Sequence, residues 1–113
     1  AKVLKAMAVR GARYLQIHVP CPLGWGSASH DTIRLARLAV ETGFYPIFES
    51  ENGKVTAVRK IRRKLPVSDY LKPQKRYSHL FRGGIEDARV ARLQAMCDAN
   101  IEEYGLLSGD EEA

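Results

Sequence analysis

Residues 20–26, with the sequence PCPLGWG, place a cysteine thiol between two prolines. Each proline fixes its own φ angle and removes a backbone N–H donor, and Cys21 is held in extended geometry because it precedes Pro22. Gly24 and Gly26 leave room for the main chain to approach a bulky group, and the N–H groups after Cys21 can point at a sulfur or an anion. A thiol on such a stiff turn suits a metal thiolate or a nucleophile.

Cys21 also has a plain interpretation, a small apolar residue buried in a tight turn. The nucleophile hypothesis has little support, because His18 falls on the strand face of Pro20 and no glycine-rich acyl-transfer signature accompanies the thiol. The second cysteine, Cys97, lies on the apolar stripe of a predicted helix, and we expect it to pack in the core. The two cysteines are far apart in the chain, so any cluster or zinc site needs ligands from another part of the structure.

The three histidines, His18, His30 and His79, have no metal-ligand spacing. We expect His30 to face solvent near a helix start and His79 to pack or form a hydrogen bond, because a lone histidine is usually structural.

The elements that must position Cys21 are a strand and two helices. Residues 2–9 predict a helix that ends near Gly11, and the alternating apolar residues of 14–19 predict a short strand. Cap residues at 27–31 predict a second, largely apolar helix to residue 42, ended by Gly43. In open α/β sheets, ligands bind beyond the carboxyl ends of the strands, which is where Cys21 falls.

The second half of the chain predicts a hairpin and more helix. Residues 44–49 and 54–61 predict two strands joined by a tight Asn52-Gly53 turn. A helical turn capped by Ser68 is expected after Pro66. The apolar stripe of residues 85–104 predicts a final helix.

The composition is that of an ordinary globular domain, with 113 residues, 45% apolar and 27% charged. It excludes a disordered acidic chain, a collagen-like repeat and a disulfide scaffold. No apolar stretch approaches the roughly 18 residues that a membrane helix needs, and no signal-peptide pattern begins the sequence. We therefore expect a cytoplasmic protein without a membrane partner.

Residues 59–64, RKIRRK, concentrate much of the net charge of +5. The run is interpreted either as a solvated strand edge or as a docking surface for an acidic protein. The alternative hypothesis for the whole chain is a small basic α/β binding module that contacts nucleic acid or an acidic protein, with a salt-sensitive affinity.

Residues 13–51 resemble the C-terminal part of the β subunit of 2-oxoacid:ferredoxin oxidoreductases, most closely the pyruvate type. The matching features are a strand followed by PCPxGW at residues 20–25, a helix ending in ETG at 41–43, and an aromatic-Pro-x-x-Glu pattern at 45–49.

Further on, PVxxYL at residues 66–71 and QxRYxHL at residues 74–80 resemble the C-terminal extension of that family. The resemblance covers residues 1–82. The family's three other cluster cysteines, its diphosphate and Mg²⁺ motif and its catalytic acid are expected upstream of residue 1.

The resemblance implies a thiamine-pyrophosphate-binding α/β domain whose cofactor acts on a 2-oxo acid with release of CO₂. Coenzyme A takes the acyl group, and electrons pass through a 4Fe–4S cluster to ferredoxin. The fourth cluster cysteine of the family lies in the PCPxGW loop, which maps onto Cys21. Trp25 either shields the cluster from water or simply packs.

The expected fold class is α/β. Residues 1–51 would form the C-terminal part of the thiamine-pyrophosphate-binding open-sheet domain. Residues 52–107 would form an extension with a hairpin strand, short helices and a final helix, and residues 108–113 a disordered acidic tail. We expect this segment to be inactive alone. Its partners would be the remainder of the β subunit, other subunits of the complex and ferredoxin, with coenzyme A and a 2-oxo acid, foremost pyruvate, as substrates.

Overall fold

The computed structural model describes residues 1–109 and combines helices with a two-stranded sheet, consistent with an α/β chain. The helices are α1 (Lys2–Met7), α2 (Pro22–Trp25), α3 (Thr32–Glu41), α4 (Val67–Leu71) and α5 (Ala88–Glu103); the strands are β1 (Phe48–Glu51) and β2 (Lys54–Val58). Short 3₁₀ segments cover Ser29–Asp31 and Lys75–Gly84. None of the helices within residues 1–109 has the length and apolar character to cross a bilayer.

The N-terminal part of the chain lies outside the core. Helix α1 buries none of its residues, and Lys2 and Lys5 pair with the Glu49 carboxylate on β1. The strand predicted at residues 14–19 is wrong for this structure, because these residues run without a ladder partner among the described residues. A strand forms only against a neighbour that satisfies its N–H and C=O groups.

Helix α3 forms the centre of the core and confirms the helix predicted before Gly43. Leu35 and Ala39 are fully buried, which fits a helix that is apolar over most of its girth. The helix ends at Thr42, whose hydroxyl donates to the Leu38 carbonyl at 2.7 Å. Neighbouring residues cover this helix on the side that faces α4 and the final helix.

The β1–β2 hairpin confirms the predicted turn. Asn52 and Gly53 have φ values of 51° and 77°, the left-handed conformation that a tight hairpin turn requires. The strands are antiparallel, with Phe48 opposite Val58, and are shorter than predicted. The first strand begins late because the preceding residues pack against α3, where the Tyr45 N–H donates to the Ala39 carbonyl at 2.8 Å.

Helices α4 and α5 complete the core. The N-cap of α4 is Pro66, so the predicted cap at Ser68 is wrong; the Val67 N–H is instead satisfied by the Gln94 side chain at 2.8 Å. Helix α5 starts later than predicted, since Asp87 caps it and accepts from the Arg89 N–H at 2.8 Å. The stripe predicted for this helix is confirmed in its buried residues, Val90, Cys97 and Ile101.

The end of the described chain packs against the residues after β2. Ile61 pairs with Leu107 in an isolated bridge, and the Ser108 N–H and hydroxyl both donate to the Ile61 carbonyl. Ser108, the first residue of the predicted disordered tail, thus bonds to Ile61, and the disorder of the tail stays a prediction. Residues 110–113 of that predicted tail lie outside the described residues.

Candidate functional site

Cys21 stands at the surface on a short, well-defined turn. Its backbone is extended, with φ −118° and ψ 100°, as its position before Pro22 predicts, and it forms the N-cap of α2. The thiol is exposed, and its Sγ accepts a hydrogen bond from the Gly24 N–H at 3.4 Å. The plain interpretation of Cys21 as a buried apolar residue is therefore wrong, and the predicted N–H···S contact is present.

Gly26 closes the turn against the segment that follows α4. It has a φ of +65°, and a Cβ at this position would lie 2.6 Å from the Cβ of Lys75. The Lys75 N–H donates to the Gly26 carbonyl at 3.1 Å. A glycine is required here because both the left-handed conformation and the close approach exclude a larger residue.

Trp25 is half-buried beneath the guanidinium of Arg76, whose central carbon lies 3.9 Å from the centre of the indole ring. The Arg76 Nε–H donates to the Gln74 side chain at 2.7 Å, and an Nη of Arg76 lies 3.4 Å from the Tyr70 hydroxyl. Both Gln74 and Tyr70 are buried. Of the two roles considered for Trp25, the structure shows packing, and the packing partner is the charged guanidinium of Arg76.

Sequence reasoning missed Arg76 as a member of this site. The residue appeared only within the QxRYxHL pattern, and fifty residues separate it from the turn. The available signal was the pairing of an arginine with a lone tryptophan, which is the most favourable ring for a cation.

His18 packs beside this stack rather than beside the thiol. Its ring lies 4.6 Å from Tyr45 and 5.5 Å from Trp25, centre to centre. Burial, together with the nearby Arg76 charge, lowers the pKa of His18, which keeps the ring neutral at pH 7. Its Nε2 atom is buried and has no hydrogen-bond partner among the described residues. The geometry fits a structural histidine.

Exposed apolar side chains precede and follow Cys21 in the sequence. Leu23, two residues after Cys21, is 96% exposed, and several large apolar side chains before Cys21 are exposed as well. We call these residues the N-terminal apolar set: Val3, Leu4, Met7, Leu15, Ile17, Val19 and Leu23. A concentration of exposed apolar side chains marks an interaction surface.

The other candidate residues do not join Cys21. Cys97 is fully buried, as predicted, and burial raises the pKa of its thiol to about 11. His30 is exposed as predicted, whereas His79 is exposed rather than packed. Within residues 1–109, no three His, Cys, Asp or Glu side chains come together in a way that could hold a metal ion. This segment therefore offers one thiolate and not a complete ligand set.

The basic run at residues 59–64 follows the end of β2 at Val58, although the Arg59 N–H still donates to the Ile47 carbonyl at 2.8 Å. Lys60 donates to the Gly105 carbonyl at the end of α5, and Lys64 pairs with Asp98 at 3.0 Å. Ile61, in the middle of the run, is buried. Two of the five basic side chains thus bond within the chain's own fold, and Lys60 does so at the C-terminal end of α5, where a cation is favourable.

No protein-family model matches the chain. It is 44% identical over 107 residues to "Pyruvate synthase subunit PorB" of Methanosarcina barkeri, covering 93% of this chain and 36% of the relative. The identity is 41% over 105 residues to the subunit of the same name in Methanocaldococcus jannaschii, covering 93% of this chain and 34% of the relative. "Ketoisovalerate oxidoreductase subunit VorB" of Pyrococcus abyssi is 37% identical over 87 residues, covering 75% of this chain and 28% of that protein. The chain spans about a third of the length of the curated relatives it matches first.

Proposed function

Because the chain belongs to the β-subunit family of the 2-oxoacid:ferredoxin oxidoreductases, of which it represents a segment, we propose that it works within such an enzyme. The reaction is the coenzyme A-dependent oxidative decarboxylation of a 2-oxo acid to an acyl-CoA and CO₂, with electrons passed through iron–sulfur clusters to ferredoxin. Pyruvate is the proposed substrate, since relatives at 44% and 41% identity are named pyruvate synthase subunits. A branched 2-oxo acid is the second candidate, because a ketoisovalerate subunit matches 75% of the chain.

The observation that carries the proposal is the exposed thiol of Cys21 on its proline-flanked turn. Cysteine thiolates hold iron–sulfur clusters, and N–H groups that donate to the sulfur tune the potential of the cluster. The Gly24 N–H already donates to Cys21 Sγ, so the residues present fit one corner of a 4Fe–4S cluster. When bound, such a cluster supplies one-electron transfer. Cys21 would be the ligand from this segment, with the other three from elsewhere in the subunit.

The thiamine-pyrophosphate-binding domain also belongs to this proposal. Residues 14–19 alternate apolar and polar side chains but have no strand partner among the described residues. Such a segment is suited to join an open sheet formed by the rest of the subunit, with the Cys21 turn at its carboxyl end. The residues that bind thiamine pyrophosphate, Mg²⁺ and coenzyme A would then lie mainly outside this chain, as would the contacts with ferredoxin. Residues 1–51 would belong to that domain and residues 52–107 to its extension.

The alternative of a nucleic-acid-binding module loses two of the five cations of the basic run. A binding surface of this kind needs cations directed at phosphates. Lys60 and Lys64 instead bond to Gly105 and Asp98 of the same chain.

The test is the iron content of the complete enzyme carrying Cys21→Ala. We expect about one cluster fewer per β subunit and loss of the corresponding electron paramagnetic resonance signal, because a ligand of the cluster is removed. Cys97→Ala is the matched control, since it removes the buried thiol of the same segment. Equal iron content and equal ferredoxin reduction in both variants would overturn the ligand assignment.

The substrate is tested separately by the rate of ferredoxin reduction with pyruvate and with 2-oxoisovalerate. We expect the complete enzyme to have a higher kcat/KM for pyruvate. A preference for the branched acid would assign the chain to the ketoisovalerate branch.

A further inference from the structure

Arg76 places its guanidinium over the Trp25 ring of the Cys21 turn, 3.9 Å from the ring centre. We infer that Arg76 is the positioning residue for Cys21 and the fixed positive charge of the cluster site. This inference rests on the function proposed above. Arg76 itself would not bind the cluster, and it lies far from Cys21 in the sequence.

Contacts at both ends hold the Cys21 turn in place. At one end, the Trp25 N–H donates to the Cys21 carbonyl at 2.9 Å, which fixes the backbone of α2. At the other end, the Arg76 guanidinium covers the Trp25 ring at 3.9 Å, while the preceding residue, Lys75, bonds to the Gly26 carbonyl. A movement of the segment at 75–76 would therefore be passed directly to the residue that carries the thiol.

Arg76 is itself anchored on the core. Its Nε–H donates to Gln74, and the Gln74 amide donates to the Tyr70 carbonyl. Gln74 and Tyr70 are both 1% exposed, so the anchor belongs to the rigid part of the molecule. The planar guanidinium stacks on the indole and directs an N–H at Gln74 at the same time. A lysine ammonium cannot reproduce both contacts.

The charge of Arg76 is available to the site. No carboxylate among the described residues forms a salt bridge with it, and the neighbouring His18 ring is neutral at pH 7. A cluster held by thiolates becomes more negative on reduction. A nearby fixed cation stabilises the reduced form and raises the reduction potential.

The test uses the complete enzyme with Arg76→Gln, Arg76→Lys and, as a matched control, Arg92→Gln. Arg92 is an exposed arginine on α5 that lines the same cavity as Arg76 but does not lie over Trp25, so its loss removes the same net charge without breaking the stack on the turn. We expect Arg76→Gln to shift the midpoint potential of the cluster to a more negative value than Arg92→Gln does, and to lower its iron content. Arg76→Lys should keep the potential close to that of the unaltered enzyme. The Arg76→Lys enzyme should nevertheless lose iron to a chelator faster than the unaltered enzyme, because a lysine keeps the charge but not the stacking contact with Trp25.

A midpoint potential that is the same in Arg76→Gln and Arg92→Gln would overturn the electrostatic role. Unchanged chelator resistance in Arg76→Lys would overturn the positioning role, and this variant decides the question if Arg76→Gln fails to accumulate. The Cys21→Ala variant distinguishes the ligand role of Cys21 from the role of Arg76. Full iron content in Cys21→Ala refutes the proposed ligand role of Cys21, whereas iron loss there with no effect of Arg76 substitutions refutes only the role of Arg76.

Discussion

At the scale of single residues, Gly43 is a point where the side chains and backbone of α5 come very close to the main chain. Its φ is +77°, and a Cβ there would lie 2.6 Å from Ile101 Cγ1 and 2.8 Å from the Cys97 carbonyl oxygen. The Asn100 side-chain amide also donates to the Gly43 carbonyl at 3.0 Å, so α5 contacts the end of α3 at this point. The contact has no room for a methyl group.

We therefore expect Gly43→Ala to lower the free energy of unfolding by about 3 kcal/mol, from backbone strain and from overpacking. Gly53→Ala is the control, because Gly53 has the same φ of 77° but no atom near its missing Cβ. Gly53→Ala should lower the free energy of unfolding by about 1 kcal/mol, from backbone strain alone. The measurement is the shift in urea-unfolding midpoint of the two variants. Equal shifts would contradict the packing argument.

At the scale of elements, helix α5 depends on a cap that the sequence pattern did not single out. Asp87 accepts from the Arg89 backbone N–H and also from the Arg89 side chain at 2.9 Å. These hydrogen bonds from Arg89 hold the pKa of Asp87 below its ordinary value of 3.8. The predicted cap Ser68 makes no such bond at the start of α4.

We expect Asp87→Ala to lower the unfolding midpoint and Ser68→Ala to leave it nearly unchanged. The pH dependence has a definite sign. Since the folded pKa of Asp87 is depressed, its stabilisation is fully present above pH 3.8 and is lost as the pH falls toward the folded value. The difference between Asp87→Ala and the unaltered protein should therefore shrink below pH 3.8. A difference that persists in acid would assign it to packing rather than to the charged cap.

The prediction of a strand at residues 14–19 was wrong because of how elements pair. Its alternation of apolar and polar side chains is a genuine strand pattern, but a strand needs a hydrogen-bonded neighbour. The hairpin at Asn52-Gly53 was predictable because its partner strand follows immediately in the sequence.

At the scale of the whole molecule, the described chain is less compact than an independent domain of its length. Its radius of gyration is 16.3 Å, whereas about 13 Å is expected for a compact domain of this size. The difference fits the N-terminal residues, which are exposed and outside the core. Under the proposed function, the N-terminal apolar set is the surface that we expect the rest of the subunit to cover.

We expect Leu23→Asp to weaken assembly with the remaining subunits by about tenfold or more, since a charge would have to be buried at an apolar contact. Ile85→Asp is the matched control, because Ile85 is also strongly exposed, at 77%, but lies before α5 and outside the N-terminal apolar set. Size-exclusion chromatography of the purified complex measures the effect. Intact assembly of both variants would indicate that Leu23 faces solvent in the enzyme.

The sequence by itself determined the features that depend on neighbours along the chain. The extended, proline-flanked Cys21, the Asn52-Gly53 turn, the end of α3 at Gly43 and the stripe of α5 all follow from local geometry. Only the tertiary structure decided that Arg76 lies on Trp25, that Lys60 bonds to the end of α5, and that residues 14–19 find no strand partner within residues 1–109. These contacts join residues far apart in sequence, and no local propensity selects which distant group fills a given space or satisfies a given hydrogen bond.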